Sequence, residues 1–251
     1  METPASLELI SDEEWSTVWR TSDGLWLKRC KGSWRFEAPL TAALASRWPD
    51  RVAEVVDHDE DRLLTRDAGT RIAEDDPLWP DVMRLYAELQ QGEAAHVDEH
   101  VAAGVPDLRL ARLPERYAQL LDEVDDERLR RFEPRFAELC AELAACGVPE
   151  TIQHDDLHQF NVYVRDGRPR IMDWGDSSVG HPYFSLVATL RHVEDRGITR
   201  AFLEAWGGDE ETLALALRVG RIAHTFKLRP RDVPDDDWPR VVALAVAQTS
   251  E

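Results

Sequence analysis

The chain has 251 residues, enough for one large domain or two lobes around a substantial core. Its formal net charge of −19 argues against nucleic-acid or anionic-membrane binding, because both need clustered Lys and Arg. The acidity is compatible with a cationic small-molecule partner, and solubility accounts for it equally well. Three cysteines, Cys30, Cys140 and Cys146, do not make a disulfide framework. Cys140 and Cys146 fall in an apolar helical pattern and read as small core residues. Residues 1–14 are polar and acidic without an apolar run, and no segment reaches bilayer length. The expected location is the cytoplasm.

Taken in order, residues 15–20 and 25–30 read as strands around the turn Thr21-Ser22-Asp23-Gly24. In the second run Leu25 and Leu27 share one face, and Trp26, Lys28 and Cys30 share the other. Lysine is rare, with Lys28, Lys31 and Lys227 the only three. Leu40, Leu44 and Trp48 recur at helical spacing and Pro39 suits a first turn, which predicts a helix whose mouth is Glu37. Residues 52–56 and 62–65 read as two further strands around an acidic turn, and Gly69 lets the chain bend after them. Beyond Ile72 the pattern turns helical, with helices predicted over 77–91, 110–124 and 127–146. Further helices are predicted over 183–195, 199–206, Glu210–Leu228 and 238–248.

Residues 153–174 carry the chemistry. His154-Asp155-Asp156-Leu157-His158-Gln159-Phe160-Asn161 leads into Val162-Tyr163-Val164, and after a turn comes Ile171-Met172-Asp173-Trp174. Asp166-Gly167 between short apolar runs predicts a two-residue hairpin turn that sets Val162 opposite Ile171. Asn161 and Asp173 then share the open end of the hairpin, and Asp156, just upstream, falls there as well. One amide oxygen and one carboxylate suit magnesium, which favours oxygen donors and keeps waters and substrate phosphates. Asp156 is left as a candidate base. The spacing His-x-Asp-Leu-x-x-x-Asn is also the kinase catalytic-loop pattern, and Ile-Met-Asp-Trp stands where protein kinases carry Asp-Phe-Gly. With Trp in that place the stretch resembles the aminoglycoside phosphotransferase and choline kinase family.

That resemblance implies an α+β, protein-kinase-like fold of two lobes: a small nucleotide-binding sheet lobe over residues 1–68 and a larger helical lobe over 69–251. It implies transfer of a phosphoryl group from ATP, or from GTP as some members use, to a hydroxyl of a small acceptor. Asp156 would align and deprotonate that hydroxyl, Asn161 and Asp173 would hold magnesium, and His154 would brace the loop. Lys28 matches the strand lysine that holds the nucleotide phosphates, and Glu37 the glutamate that pairs with it. Residues 63–69 match the hinge whose backbone meets adenine. The resemblance runs from the strand at Trp15 to the helix at Tyr183.

The chain departs from the family pattern in three places. Pro39 puts Glu37 at the mouth of its helix and not inside it. No Gly-x-Gly-x-x-Gly is present; the candidate phosphate loop is the acidic Ser11-Asp12-Glu13-Glu14 connection. His181 and Ser185 stand where the family commonly has carboxylates, positions read here as structural. Asp176 is either near the metal region or a turn residue. Two other classes fit part of the pattern. One is a catalytically quiet nucleotide-binding protein, and the other a metal-dependent hydrolase using His154, Asp156 and His158.

Overall fold

The computed structural model describes residues 7–123, 125–195, 197–228, 243 and 246–247. Five antiparallel strands open the fold: β1 (Leu7–Asp12), β2 (Ser16–Thr21), β3 (Trp26–Cys30), β4 (Val55–His58) and β5 (Arg62–Thr65), in the order β1-β2-β3-β5-β4. Helix α1 (Glu37–Arg47) crosses between β3 and β4 and buries Ala38, Leu40, Thr41 and Leu44. The sequence reading misses β1 because it is an edge strand. Leu9 and Ile10 are exposed, so no alternation of buried and open positions marks it. Strand β4 begins at Val55 and not at residue 52. Val52 is fully buried instead and bridges Ile171, tying the first sheet to the later hairpin.

After Gly69 come β6 (Thr70–Arg71), α2 (Trp79–Glu93), α3 (Val97–Ala102), α4 (Leu113–Glu123) and α5 (Glu127–Ala145). Six-residue α3 escapes a periodicity reading because it makes less than two turns. Strand β7 (Thr151–Gln153) precedes the hairpin β8 (Val162–Arg165) and β9 (Arg168–Ile171), and β10 (Ser178–Gly180) returns to pair with β7. Val162 lies opposite Ile171. Asp166 and Gly167 both take positive φ, 54° and 73°, as the tight turn demands. Helices α6 (Ser185–His192), α7 (Ile198–Trp206) and α8 (Glu210–Leu228) follow. The helix expected over 238–248 falls on residues of which only 243, 246 and 247 are described, all three helical.

The main core lies in the helical part, around Trp79, Tyr86, Phe136, Trp174, Phe184 and Phe202, and it takes in Leu40 and Leu44 of α1. Cys140 is buried there. Cys146 is not: it lies exposed just past the end of α5, where the apolar face has run out. Among the described residues no helix is long and apolar enough to cross a membrane.

Candidate active site

A cleft of about 330 Å³ opens between the first sheet and the β8–β9 hairpin, lined by Val18, Lys28, Leu63, Thr65, Asn161 and Asp173 among others. Lys28 projects from mid-β3, with Val18 and Leu63 as its cross-strand neighbours. Its ammonium lies 2.7 Å from Glu37 Oε1 and 2.7 Å from Asp173 Oδ1. Burial alone would favour a neutral lysine; the two carboxylates override it and hold the pKa above its ordinary value. Glu37, the first residue of α1, is only 2 % exposed, and burial pushes its carboxyl up to about 7 despite Lys28. Asp173 keeps 54 % of its side chain open to the cleft. Burial opposes its ionisation as well, but Lys28 prevails and holds it below the usual carboxylate range.

The backbone around Asp173 sets where its carboxylate lies. Asp173 takes φ 60, between β9 and a 3₁₀ turn over Trp174–Asp176. Fully buried Trp174 anchors the turn. Gly175 leaves room for Glu37, on whose carboxylate any side chain at that position would press. Asp176 closes the turn, and its charge disfavours ionisation of Asp156.

The loop after β7 supplies the other groups. The backbone N–H of His154 donates to the Tyr86 hydroxyl at 2.7 Å. Its Nε2–H donates to the Met172 carbonyl at 2.7 Å, and its Nδ1 accepts from the Asp156 N–H at 3.3 Å. Those partners fix a neutral tautomer, and burial lowers the pKa in the same sense. Asp156 Oδ2 accepts from Asn161 Nδ2 at 3.0 Å and lies 3.2 Å from His158 Nε2. His158 Nδ1 accepts from the Phe160 N–H, so its proton is on Nε2, toward Asp156. Burial raises the Asp156 pKa, and the neighbouring His158 offsets that only in part. Asn161 Nδ2 also donates to the Asp156 carbonyl at 2.8 Å, which leaves Oδ1 as the atom it can offer to a cation.

Asn161 and Asp173 therefore line one cleft, each offering an oxygen, a donor set that fits a hard divalent cation. A zinc-type cage of His154, Asp156 and His158 is not formed. Both His154 nitrogens are engaged by backbone, and no group of three or more His, Cys, Asp or Glu side chains poised for a metal occurs among the described residues.

Between β1 and β2, Asp12 is turned away to Lys31 at 2.6 Å and Thr17 at 2.7 Å, while Glu13 and Trp15 line the cleft. Thr65 to Gly69 line its inner edge. Gly69 has φ 99, and a Cβ there would run into the Val164 carbonyl of β8. His181 caps the 3₁₀ turn at Pro182–Phe184 through Nδ1, and burial lowers its pKa to about 3. Ser185 joins Gln153 and Tyr86 in a buried network. His192 stacks edge-on to His158 with ring centres 5.1 Å apart. His224 of α8 lies 3.2 Å from Asp155 Oδ1, a pairing that no local sequence signal announces. Tyr86 and Ser178 carried no signal beyond polarity in an apolar context.

A small sheet with one helix, followed after Gly69 by a helical part bearing the hairpin site, defines a protein-kinase-like, two-lobed α+β fold. The sequence profile of the phosphotransferase enzyme family (APH) matches residues 11–216, and the chain belongs to that family. Among solved structures, the GDP and kanamycin complex of APH(2")-IIia superposes with a TM-score of 0.66 at 17% identity, covering 99% of this chain and 94% of that one. A choline/ethanolamine kinase family protein from Mesorhizobium loti gives 0.66 at 16% identity, with 98% and 87% covered. The macrolide 2'-phosphotransferase MphH from Brachybacterium faecium gives 0.63 at 15% identity, with 96% and 91% covered. No match is found among curated protein sequences.

Proposed function

We propose that the protein is a small-molecule kinase that moves the γ-phosphoryl group of ATP, or of GTP, to a hydroxyl of a small acceptor. The reading rests on one observation: Lys28, Glu37, Asn161 and Asp173 line one cleft from distant parts of the chain, and Asn161 is hydrogen-bonded to Asp156. Solved relatives in fold carry GDP or ADP, which supports a nucleotide donor.

In this scheme the purine lies against the backbone of residues 65–69, and Lys28, steadied by Glu37, meets the phosphate oxygens as a point charge. Asn161 and Asp173 would hold magnesium, which when bound draws charge from the phosphates. Oδ2 of Asp156 accepts from Asn161 and lies beside His158 Nε2, so Oδ1 aligns the acceptor hydroxyl and takes its proton. Positioning and charge neutralisation do most of the work. The residues 1–68 and 69–251 form the two lobes that bring donor and acceptor together.

The test is a screen of aminoglycosides, other antibiotics, sugars, choline-like alcohols and nucleosides with magnesium and ATP or GTP. It follows nucleoside diphosphate release and the gain of one phosphate on the acceptor. Asp156→Asn is expected to slow transfer by roughly 10²–10⁴-fold while nucleotide binding persists. Transfer that survives this change refutes the scheme. Binding without turnover on any acceptor marks a catalytically quiet nucleotide-binding protein instead.

A further inference from the structure

Asp155 adopts φ 62, a left-handed conformation that aspartate enters only at a cost. Glycine would take the same turn freely. Asp166 does likewise in an open hairpin, but Asp155 is enclosed, its side chain wholly withdrawn from solvent. Its Oδ2 accepts the Ser178 hydroxyl at 2.5 Å, and its Oδ1 lies 3.2 Å from His224 Nε2. Both partners are buried too. A carboxylate is kept in such a place only by donors directed at it.

The partners come from two other parts of the chain. Ser178 opens β10 and pairs across the ribbon with Gln153, just before the catalytic loop. His224 belongs to α8. Asp155 immediately precedes Asp156, and Ser178 follows the turn that begins at Asp173. One carboxylate therefore joins the segment carrying the base to the segment carrying the metal ligand, and sets both close beside His224 of α8. The bond from His154 Nε2 to the Met172 carbonyl is a second strut between the same two segments.

We propose that Asp155 is a positioning residue for phosphoryl transfer: its carboxylate, hydrogen-bonded by Ser178 and set close beside His224, fixes the left-handed turn that aims Asp156. The proposal rests on the kinase reading above. A base displaced by about 1 Å can cost roughly 100-fold in rate, so the tie acts on turnover more than on binding.

Three variants of the full chain test it with the best acceptor from the screen. Asp155→Gly keeps the turn and removes the tie; kcat is expected to fall by roughly 100-fold with nucleotide Kd unchanged. Asp155→Asn keeps the shape and an acceptor oxygen, and is expected to recover most of that loss. His224→Ala, which cuts only the tie to α8, is expected to fall between them. Wild-type kcat in Asp155→Gly overturns the proposal. So does a parallel loss of kcat, nucleotide affinity and melting temperature that Asn does not rescue, since that marks a structural role alone. Should the Gly variant fail to fold, the comparison of Asp155→Asn with His224→Ala decides: wild-type kcat in His224→Ala at unchanged nucleotide Kd, with or without a defect in the Asn variant, overturns the tie. Asp156→Asn run alongside separates the two readings. Transfer slowed there but untouched by Asp155→Gly sinks this inference only; wild-type transfer there removes Asp156 as the base and this inference with it, and the absence of transfer to any acceptor by the wild type sinks the kinase reading.

Discussion

Glu93→Gln tests how α1, the helix that begins at Glu37, is fastened to the helical part. Glu93 ends α2, is fully buried, and accepts four hydrogen bonds. Arg47 Nε and Nη2 each lie at 2.8 Å, Trp48 Nε1 at 2.6 Å and His100 Nε2 at 2.8 Å. Arg47 and Trp48 close the C-terminal end of α1. Burial by itself would raise the Glu93 pKa, yet the donors, His100 and Arg47 foremost, bring it down to about 2 from 4.5. The folded value lies below the unfolded one, so the ionised carboxylate stabilises the fold. That stabilisation is complete above pH 4.5 and is lost as pH falls toward 2. A fall from 4.5 to about 2 corresponds to about 3 kcal/mol at neutral pH, and to about 1.5 kcal/mol at pH 3. Urea unfolding of both proteins at pH 7 and pH 3 measures the gap. Self-repulsion of the acidic chain changes almost equally in both and largely cancels. Equal stability at pH 7, or a gap that does not narrow on acidification, refutes the reasoning.

Other outcomes follow from the same structure. Lys28→Ala removes the ammonium between Glu37 and Asp173; nucleotide binding by calorimetry is expected to weaken by about 1.5–3 kcal/mol, and an unchanged Kd rules out the phosphate role. Gly167→Ala, at positive φ in open space, is expected to cost only about 1 kcal/mol of strain in denaturant unfolding. Gly69→Ala adds a collision with the Val164 carbonyl and is expected to cost about 2–5 kcal/mol in the same assay. Tyr86→Phe deletes a buried hydroxyl that meets Ser185 and the His154 N–H, with an expected loss of about 1–3 kcal/mol in unfolding experiments. A loss under a few tenths would mean that water or a repacked side chain replaces it.

The elements that read well from sequence are those whose information is local. The hairpin register followed from Asp166-Gly167 and alternating apolar residues, because a two-residue turn leaves one pairing. The helix α8 has the bounds that periodicity gives it, Glu210–Leu228. Where burial was decided by distant chain the reading failed. Strand β1 shows no alternation because its edge faces water, and Val52 left its expected strand because Ile171 offered it a buried partner. Cys146 is exposed because α5 ends before it.

For the site, the sequence alone determined which side chains are available and how Asp156, Asn161 and Asp173 are spaced about one hairpin. Only the tertiary structure decided that Lys28 meets Asp173, 145 residues on, and that Asp155 meets Ser178 and His224. Turn and helix preferences act over a few neighbouring residues. Charge compensation inside a closed cleft depends on which segments pack together, and no short window of sequence contains both partners.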